Sequence, residues 1–91
     1  MKNEIRYYAI KDIVVGSFMN VYPLHNDEEA KRAVRESVRS NNGVNDLTAR
    51  ATDLQFWYLF TLNIDTGLIV DNEPHIIANV YDFVKNDVKE N

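Results

Sequence analysis

Large apolar residues recur at every second position between residues 54 and 64. They are Leu54, Phe56, Tyr58, Phe60, Leu62 and Ile64. This period of two, with aromatic and β-branched side chains, is typical of a strand with one buried face. Asp65-Thr66-Gly67 supplies a turn, because glycine readily adopts the positive φ of a tight hairpin loop. Leu68-Ile69-Val70 then returns beside the first strand, so a hairpin is predicted at the centre of the domain.

Two further strands are predicted near the start of the chain. Residues from Ile5 to Lys11 alternate in the same way and predict the first strand. The segment from Ser17 to Tyr22 has the composition of a second strand. Proline lacks the N–H that a strand ladder needs, so pairing is expected to stop at Pro23.

The first helix is predicted to begin at Asn26, whose side chain can cap its first turn. Glu29 follows three residues later, where it can reach back and complete a capping box. Small and branched residues at helical spacing predict the buried face. These are Ala30, Ala33, Val34, Ser37 and Val38. The helix is expected to end near Ser40, at a terminator formed by residues 41–43, and a polar loop is expected over residues 41–53.

A second helix is predicted after Asn72. Pro74 fits an early helical position, where its missing N–H costs nothing. Apolar residues at helical spacing are predicted to face the sheet. These are Ile77, Val80, Tyr81 and Val84. The charged tail over residues 85–91 is expected to fray.

The predicted elements follow the order β-β-α, loop, β-β-α. One arrangement buries every apolar stripe: an α+β fold in which a four-stranded, mostly antiparallel sheet carries both helices on one face. At 91 residues the chain is expected to form a single domain over residues 1–91. The fold predicted from the sequence is therefore ββα-ββα.

The composition restricts the cellular setting. The chain has no cysteine, which excludes disulfides and thiolate metal sites and fits a reducing cytoplasm. No apolar run reaches the length of about 18 residues that a spanning helix needs. The N-terminus alternates like a strand and lacks the apolar core of a signal peptide. A cytoplasmic protein without a membrane partner is expected.

The charge is unevenly distributed along the chain. The net charge is −4. Residues 1–50 carry eight basic and seven acidic side chains, whereas residues 51–91 carry two basic and seven acidic ones. A basic patch can therefore exist on this acidic protein.

The outer side of the first helix is the first candidate binding site. Its basic side chains, with Arg50 from the following loop as an extension, are Lys31, Arg32, Arg35, Arg39 and Arg50. Such a stripe suits phosphate groups, because a guanidinium can contact a phosphate through two N–H groups. The alternative is a solvated helix face on which Glu28 pairs with Arg32.

The sheet side away from the helices is the second candidate. If Phe56 and Tyr58 face the helices, Trp57 faces outward, and Arg6 and Tyr8 are predicted to share its side. Aromatic rings beside a basic residue on an open sheet can stack and neutralise a single nucleic-acid strand. The alternative is a homodimer that buries Trp57.

Other chemistry is poorly supported by the sequence. Asp65-Thr66-Gly67 matches the short core of retroviral-type aspartic proteases, but such enzymes also need glycine-rich flaps, and the chain has only three glycines. His75 lies near two acidic residues, which helix N-terminal acids explain without a metal. No phosphate loop, catalytic triad or zinc spacing is present. The chain is expected to have no catalytic residues, metal or cofactor.

Several segments resemble a known family. Asp53-Leu54-Gln55-Phe56-Trp57-Tyr58-Leu59 with Asn63-Ile64-Asp65-Thr66-Gly67, and Tyr8-Ala9-Ile10 before Asp12, are similar to the small nonstructural protein of gokushoviruses, which are single-stranded-DNA phages of the Microviridae. The similarity extends over about residues 7–84. It departs at Phe60, where a glycine is usual, and at Asn63, where an aspartate is usual.

The resemblance implies a nonvirion phage protein that binds DNA and serves single-stranded DNA synthesis in the cytoplasm of a bacterial host. The family carries no catalytic residues, so none is transferred to this chain. The expected function is single-stranded DNA binding by a homodimer during phage genome synthesis. The alternative is a homodimeric protein-interaction module that engages a phage or host replication protein without binding nucleic acid.

Overall fold

The structure is a computed structural model that describes residues 3–40 and 50–89, with side chains for residues 3–38 and 50–84. Within these ranges the chain forms five strands, two helices and one 3₁₀ turn. In chain order they are β1 (Glu4–Asp12), β2 (Ser17–Leu24), α1 (Asp27–Ser40), the 3₁₀ turn (Ala51–Asp53), β3 (Leu54–Asn63), β4 (Ile69–Asp71), β5 (His75–Asn79) and α2 (Val80–Lys89). The predicted terminator at residues 41–43 and most of the predicted loop lie outside the described residues.

Strand β3 is the central strand of an antiparallel sheet. β1 pairs along its whole length, from Glu4 opposite Asn63 to Asp12 opposite Leu54. β2 pairs with the far side of β1. β4 and β5 both pair with the other edge of β3, β4 near the turn and β5 near the start. The predicted α+β class with a mostly antiparallel sheet is confirmed, but the described sheet has five strands instead of four.

The fifth strand replaces the start of the predicted second helix. His75–Asn79 is strand β5, in which Ile76 lies opposite Trp57. The helix begins only at Val80, so its predicted start after Asn72 is wrong. Ile77 fits the helical spacing, but Ile76 and Ile77 are both β-branched. Such residues favour a strand where an edge of β3 is open to pairing. The order is therefore ββα-βββα.

Strand β2 continues past the position where its end was predicted. It runs through Pro23, which lies opposite Tyr7, to Leu24, which lies opposite Arg6. β2 is an edge strand, where a proline is tolerated because its nitrogen can face away from the neighbouring strand. The pairing also contains an irregularity near Asn20, which has a positive φ of 54°.

A β-bulge at Leu59 in β3 changes the side of the sheet to which the following side chains point. Tyr8 lies opposite Tyr58, while Tyr7 lies opposite Phe60, so Leu59 has no partner in β1. One extra residue in a strand reverses the alternation beyond it. Phe60 therefore leaves the helix-facing side and stacks on Tyr7 with ring centroids 4.7 Å apart. The prediction that Phe60, Leu62 and Ile64 continue the buried face is wrong for this reason.

The hydrophobic core lies between the sheet and the two helices, both of which cover the same face. Its buried members are Tyr8, Ile10, Ala30, Val34, Val38, Ala51, Leu54, Phe56, Tyr58, Val80 and Phe83. Three of the residues predicted for the buried side of the first helix are buried, and Ala33 and Ser37 are half-buried at its margin. Ala30 is small, which allows α1 to lie close to the sheet.

The predicted cap of α1 is confirmed. The Asn26 side-chain oxygen accepts the backbone N–H of Glu29 at 2.8 Å. The Glu29 carboxylate reaches the backbone N–H of His25 at 3.2 Å, one residue before the position that a capping box predicts. α1 extends to Ser40, and the residues that would show its predicted end lie outside the described part of the chain. Of the helices in the described ranges, none is both long and apolar enough to cross a membrane.

Gly67 is expected to determine the stability of the β3–β4 turn. It has a φ of +78° and no neighbouring atoms that would touch an added side chain, so only the backbone conformation restricts this position. Gly67→Val is expected to lower the free energy of unfolding by about 1–2 kcal/mol, because branched residues disfavour left-handed geometry. Gly67→Asn is the matched control, since asparagine tolerates this geometry. Urea denaturation of the two variants showing equal stability would contradict the assignment.

Candidate functional site

The side of the sheet opposite the helices is uncovered in the described structure, and we call it the outer face. Its members alternate along the strands with the core residues. They are Ile5, Tyr7, Ala9, Lys11, Phe18, Gln55, Trp57, Phe60, Leu62, Ile69 and Ile76. Ile69 is 54% exposed, and Phe18 and Ile76 are each 43% exposed. A contiguous apolar surface of this kind marks an interaction site more often than a plain solvent face.

Trp57 lies at the centre of a small cluster on this face. The Phe18 ring meets it edge to face, with centroids 5.6 Å apart. The Lys11 ammonium lies 4.9 Å from the centroid of the Trp57 ring and 5.5 Å from that of Phe18. The indole N–H donates to the Gln55 side-chain oxygen at 3.0 Å. Lys11, Phe18, Gln55 and Trp57 are called the Trp57 cluster below.

The electrostatics of the Trp57 cluster favour anionic, aromatic ligands. An ammonium above a ring is attracted to the π-system of that ring by about 0.5–1 kcal/mol at an exposed site. This contact does not use the N–H groups of the ammonium to bind an oxygen acceptor. Within the described part of the chain, Lys11 forms no ion pair. The outer face thus combines one available cation with half-exposed aromatic rings.

A second pair of rings lies further along the same face. Tyr7 and Phe60 stack with an interplanar angle of 13°. Tyr7 precedes Ala9 in β1, and Ala9 lies opposite Trp57. The two aromatic groups therefore follow each other along the strand direction, which is the arrangement that could receive successive flat groups of a ligand.

Arg6 and Tyr8 do not lie on this face, and their predicted position beside Trp57 is wrong. They lie on the helix side, where the Arg6 Nε donates to the Tyr8 hydroxyl at 2.7 Å. The Tyr8 hydroxyl donates to the Asp27 carboxylate at 2.5 Å, and the Arg6 Nη2 lies 3.2 Å from the same oxygen. Burial and the bond to Asp27 raise the pKa of Tyr8 well above its usual value. This group links β1 to the start of α1.

Tyr58 extends the polar group toward β4. The Arg6 guanidinium lies over its ring, 4.2 Å from the centroid. Its hydroxyl donates to Asp71 at 2.5 Å and lies 2.6 Å from the Thr61 hydroxyl. Burial raises the pKa of Tyr58, and the bond to the Asp71 carboxylate adds to this effect. These contacts hold the short strand β4 against β3.

A cavity of about 520 Å³ opens beside this polar group. It is lined by Glu4, Arg6, His25, Asn26, Asp27, Glu28 and Thr61. Three of these side chains are carboxylic acids, and the guanidinium among them is already bonded to Asp27. Like charges repel, so the cavity is unsuited to a phosphate group.

The predicted basic stripe lies on α1, in the layer opposite the outer face. Arg32 is exposed, whereas Lys31 and Arg35 are half-buried. The Arg35 guanidinium lies 5.8 Å from the centroid of the Phe83 ring of α2. The side chain of Arg39 lies outside the described residues. The stripe and the Trp57 cluster are therefore separate surfaces.

Arg50 forms an ion pair at the end of β1. Its Nη2 lies 2.7 Å from the carboxylate of Asp12, which is buried. The Asp12 carboxylate also accepts the backbone N–H groups of Val14 and Val15 at 3.0 and 3.1 Å. The bond from Val15, together with Arg50, holds the pKa of Asp12 below its usual range. Arg50 thus stabilises the turn between β1 and β2.

Each histidine ring contacts a neighbouring side chain. The His25 ring contacts Glu29 at 3.2 Å, while the His75 ring lies beside that of Tyr58 with centroids 5.1 Å apart. Among the described residues, no three side chains of the His, Cys, Asp and Glu types form a group that could hold a metal ion.

Lys11 and Phe18 were missed by the sequence analysis. A signal for Lys11 was present, because it alternates with Tyr7 and Ala9 and so shares their face. What the sequence did not provide was the register, which places Lys11 opposite Gln55 in β3 and Phe18 in β2. The cluster is assembled across three strands, and no local pattern encodes that.

A family model described as Phage ORF5 protein matches residues 5–83. No curated protein and no solved structure matches the chain.

The Asp12–Arg50 pair predicts a pH-dependent stability. The native pKa of Asp12 is lowered, so its contribution is present above the usual pKa of an aspartate and is lost as the pH falls through the native value. Asp12→Asn is expected to lower the denaturation midpoint at neutral pH, because the charge that faces Arg50 is removed. Denaturant titrations of both proteins should converge below the aspartate range. A constant difference at every pH would contradict this role.

Proposed function

This chain belongs to the Phage ORF5 protein family and is a small phage protein, and we propose that it binds single-stranded DNA through the Trp57 cluster during phage genome synthesis. The observation that supports the proposal is the Lys11 ammonium over the Trp57 and Phe18 rings on an open sheet face. The resemblance to nonstructural DNA-binding proteins of single-stranded-DNA phages points in the same direction.

The chemistry of the cluster suits an unpaired strand. Every base has an aromatic face, and stacking on a protein ring contributes about 1–3 kcal/mol per base without sequence preference. The bases of a duplex are already stacked on each other, so they offer no such face. Lys11 provides an ammonium that can contact the adjacent phosphate. The Tyr7–Phe60 pair lies where a neighbouring base can be received.

The negative net charge of the protein limits its affinity for DNA. The net charge of −4 opposes the approach of a polyanion, and among the described residues the outer face offers one cation, Lys11. Few phosphates are therefore neutralised, and each contributes a salt slope of only about 0.7 on a single strand. Stacking is expected to supply most of the binding free energy, so moderate salt should weaken the complex only slightly.

A second function is favoured by the aliphatic residues around the cluster. Ile76, which lies opposite Trp57, is 43% exposed and offers a base no ring to stack on. Such residues suit the core of a protein–protein interface. The second candidate is therefore a protein-interaction module that engages a phage or host replication protein without binding nucleic acid.

Trp57 supplies a direct measurement, because it is the only tryptophan of the chain. A labelled oligothymidine is titrated at low salt, and both its anisotropy and the intrinsic tryptophan fluorescence are followed. Stacking on Trp57 is expected to quench that fluorescence as the anisotropy rises. Trp57→Leu and Lys11→Gln are each expected to weaken binding by about tenfold or more, which corresponds to about 1.4 kcal/mol.

Arg32→Gln is the matched control for charge. Arg32 is an exposed cation on α1, so its loss changes the net charge as Lys11→Gln does without touching the outer face. The proposal expects Arg32→Gln to bind like the unmodified protein. Anisotropy without quenching, together with weak binding by Arg32→Gln, would place the DNA on α1. No binding by the unmodified protein at low salt would leave the interaction module as the function.

A further inference from the structure

The end of the sheet farthest from the Trp57 cluster carries exposed aliphatic side chains. Ile64, Leu68, Ile69 and Val70 surround the β3–β4 turn and are 53%, 66%, 54% and 51% exposed. Ile69 lies opposite Leu62, which in turn lies opposite Ile5, and both of these neighbours are half-buried. We call Ile5, Leu62, Ile64, Leu68, Ile69 and Val70 the hairpin patch.

The apolar area of this patch is sufficient for the centre of a protein interface. Four aliphatic side chains that are more than half exposed leave on the order of 400 Å² of apolar surface, about the size of the largest patch on a typical monomer. Ile5 and Leu62 extend it onto the outer face. A stable complex of standard size buries roughly 800 Å² per partner, a little more than half of it apolar, so the patch can supply most of the apolar area of such a contact.

The charge of the hairpin patch restricts what can cover it. Between residues 60 and 70 the only charged side chain is Asp65, which accepts a hydrogen bond from Asn3 at 2.9 Å. The patch therefore offers no cation to a nucleic acid and little attraction to a basic protein. A second copy of the chain supplies an equally apolar surface, and the near absence of charge there keeps the mutual repulsion of two acidic chains small.

The edges of the sheet do not provide a competing route to self-association. On one edge, β2 contains Pro23 and the left-handed residue Asn20. On the other edge, β4 and β5 are separate short strands divided by residues 72–74, which include Pro74. Proline and irregular backbone prevent strand-to-strand addition. Of the sheet surfaces that the structure describes, the outer face is therefore the one suited to self-association.

We propose that a second copy of this chain covers the hairpin patch, so that two protomers meet through the same surface about a twofold axis. The contact lies at the opposite end of the outer face from Lys11 and Gln55. The Trp57 cluster stays accessible in both protomers, in contrast to the expected dimer that buries Trp57. The proposal is independent of DNA binding, although two clusters on one particle would raise the avidity for a long strand.

Sedimentation equilibrium of the full chain without nucleic acid tests this contact. The unmodified protein is expected to be a dimer at high micromolar concentration. Leu68→Asp introduces a charge at the most exposed position of the patch and is expected to raise the dimer dissociation constant at least about a hundredfold, or about 2.7 kcal/mol. Leu68→Lys should act similarly, which separates loss of apolar contact from a specific effect of negative charge.

Val15→Asp is the matched control. Val15 is an aliphatic residue with 71% exposure in the turn at the other end of β1, so the same substitution there should leave the dimer intact. Circular dichroism establishes that each variant is folded. A monomeric unmodified protein would overturn the proposal. So would folded Leu68 variants that dimerise normally, or a dimer that Val15→Asp dissociates equally well.

Discussion

The extra residue Leu59 in the central strand determines which side chains meet on each face of the sheet. In regular alternation, Tyr58 and Thr61 would point to opposite faces. The bulge brings them to the same face, where their hydroxyls lie 2.6 Å apart. It also moves Phe60 to the outer face, against Tyr7. The polar group under the helices and the aromatic pair on the outer face both depend on this irregularity.

Alternation along β1 explains why its two basic residues, Arg6 and Lys11, have different roles, because they are five residues apart and so face opposite sides of the sheet. Arg6 faces the polar side, where Tyr8, Asp27 and the Tyr58 ring occupy its guanidinium. Side chains arranged in this way fix α1 to the sheet and leave little of the charge for a ligand. Lys11 faces the other side, where its partners are rings instead of carboxylates. β1 thus carries Arg6, whose charge serves the structure, and Lys11, whose charge is available to a ligand.

Local chemistry made part of this structure predictable. The Asn26 cap and the left-handed Gly67 follow from the properties of single residues, and both are present. The bulge leaves no such signal, because Leu59 and Phe60 both fit an uninterrupted apolar strand. Strand β5 was missed because Ile77 and Val80 also fit helical spacing, and only the open edge of β3 selects the strand. The Trp57 cluster could not be predicted, because the strand register that assembles it is set by tertiary packing.

The pairing of β1 with β3 also has a consequence for synthesis of the chain. Tyr8 and Ile10 are synthesised 50 and 46 residues before Tyr58 and Phe56, their respective partners in β3, against which they are buried. Until then β1 can pair only with β2, and its core residues have no sheet partner on their other side. Pairing over such a sequence separation also makes folding slow. The apolar residues of β1 therefore lack their partners in β3 until that strand has been synthesised.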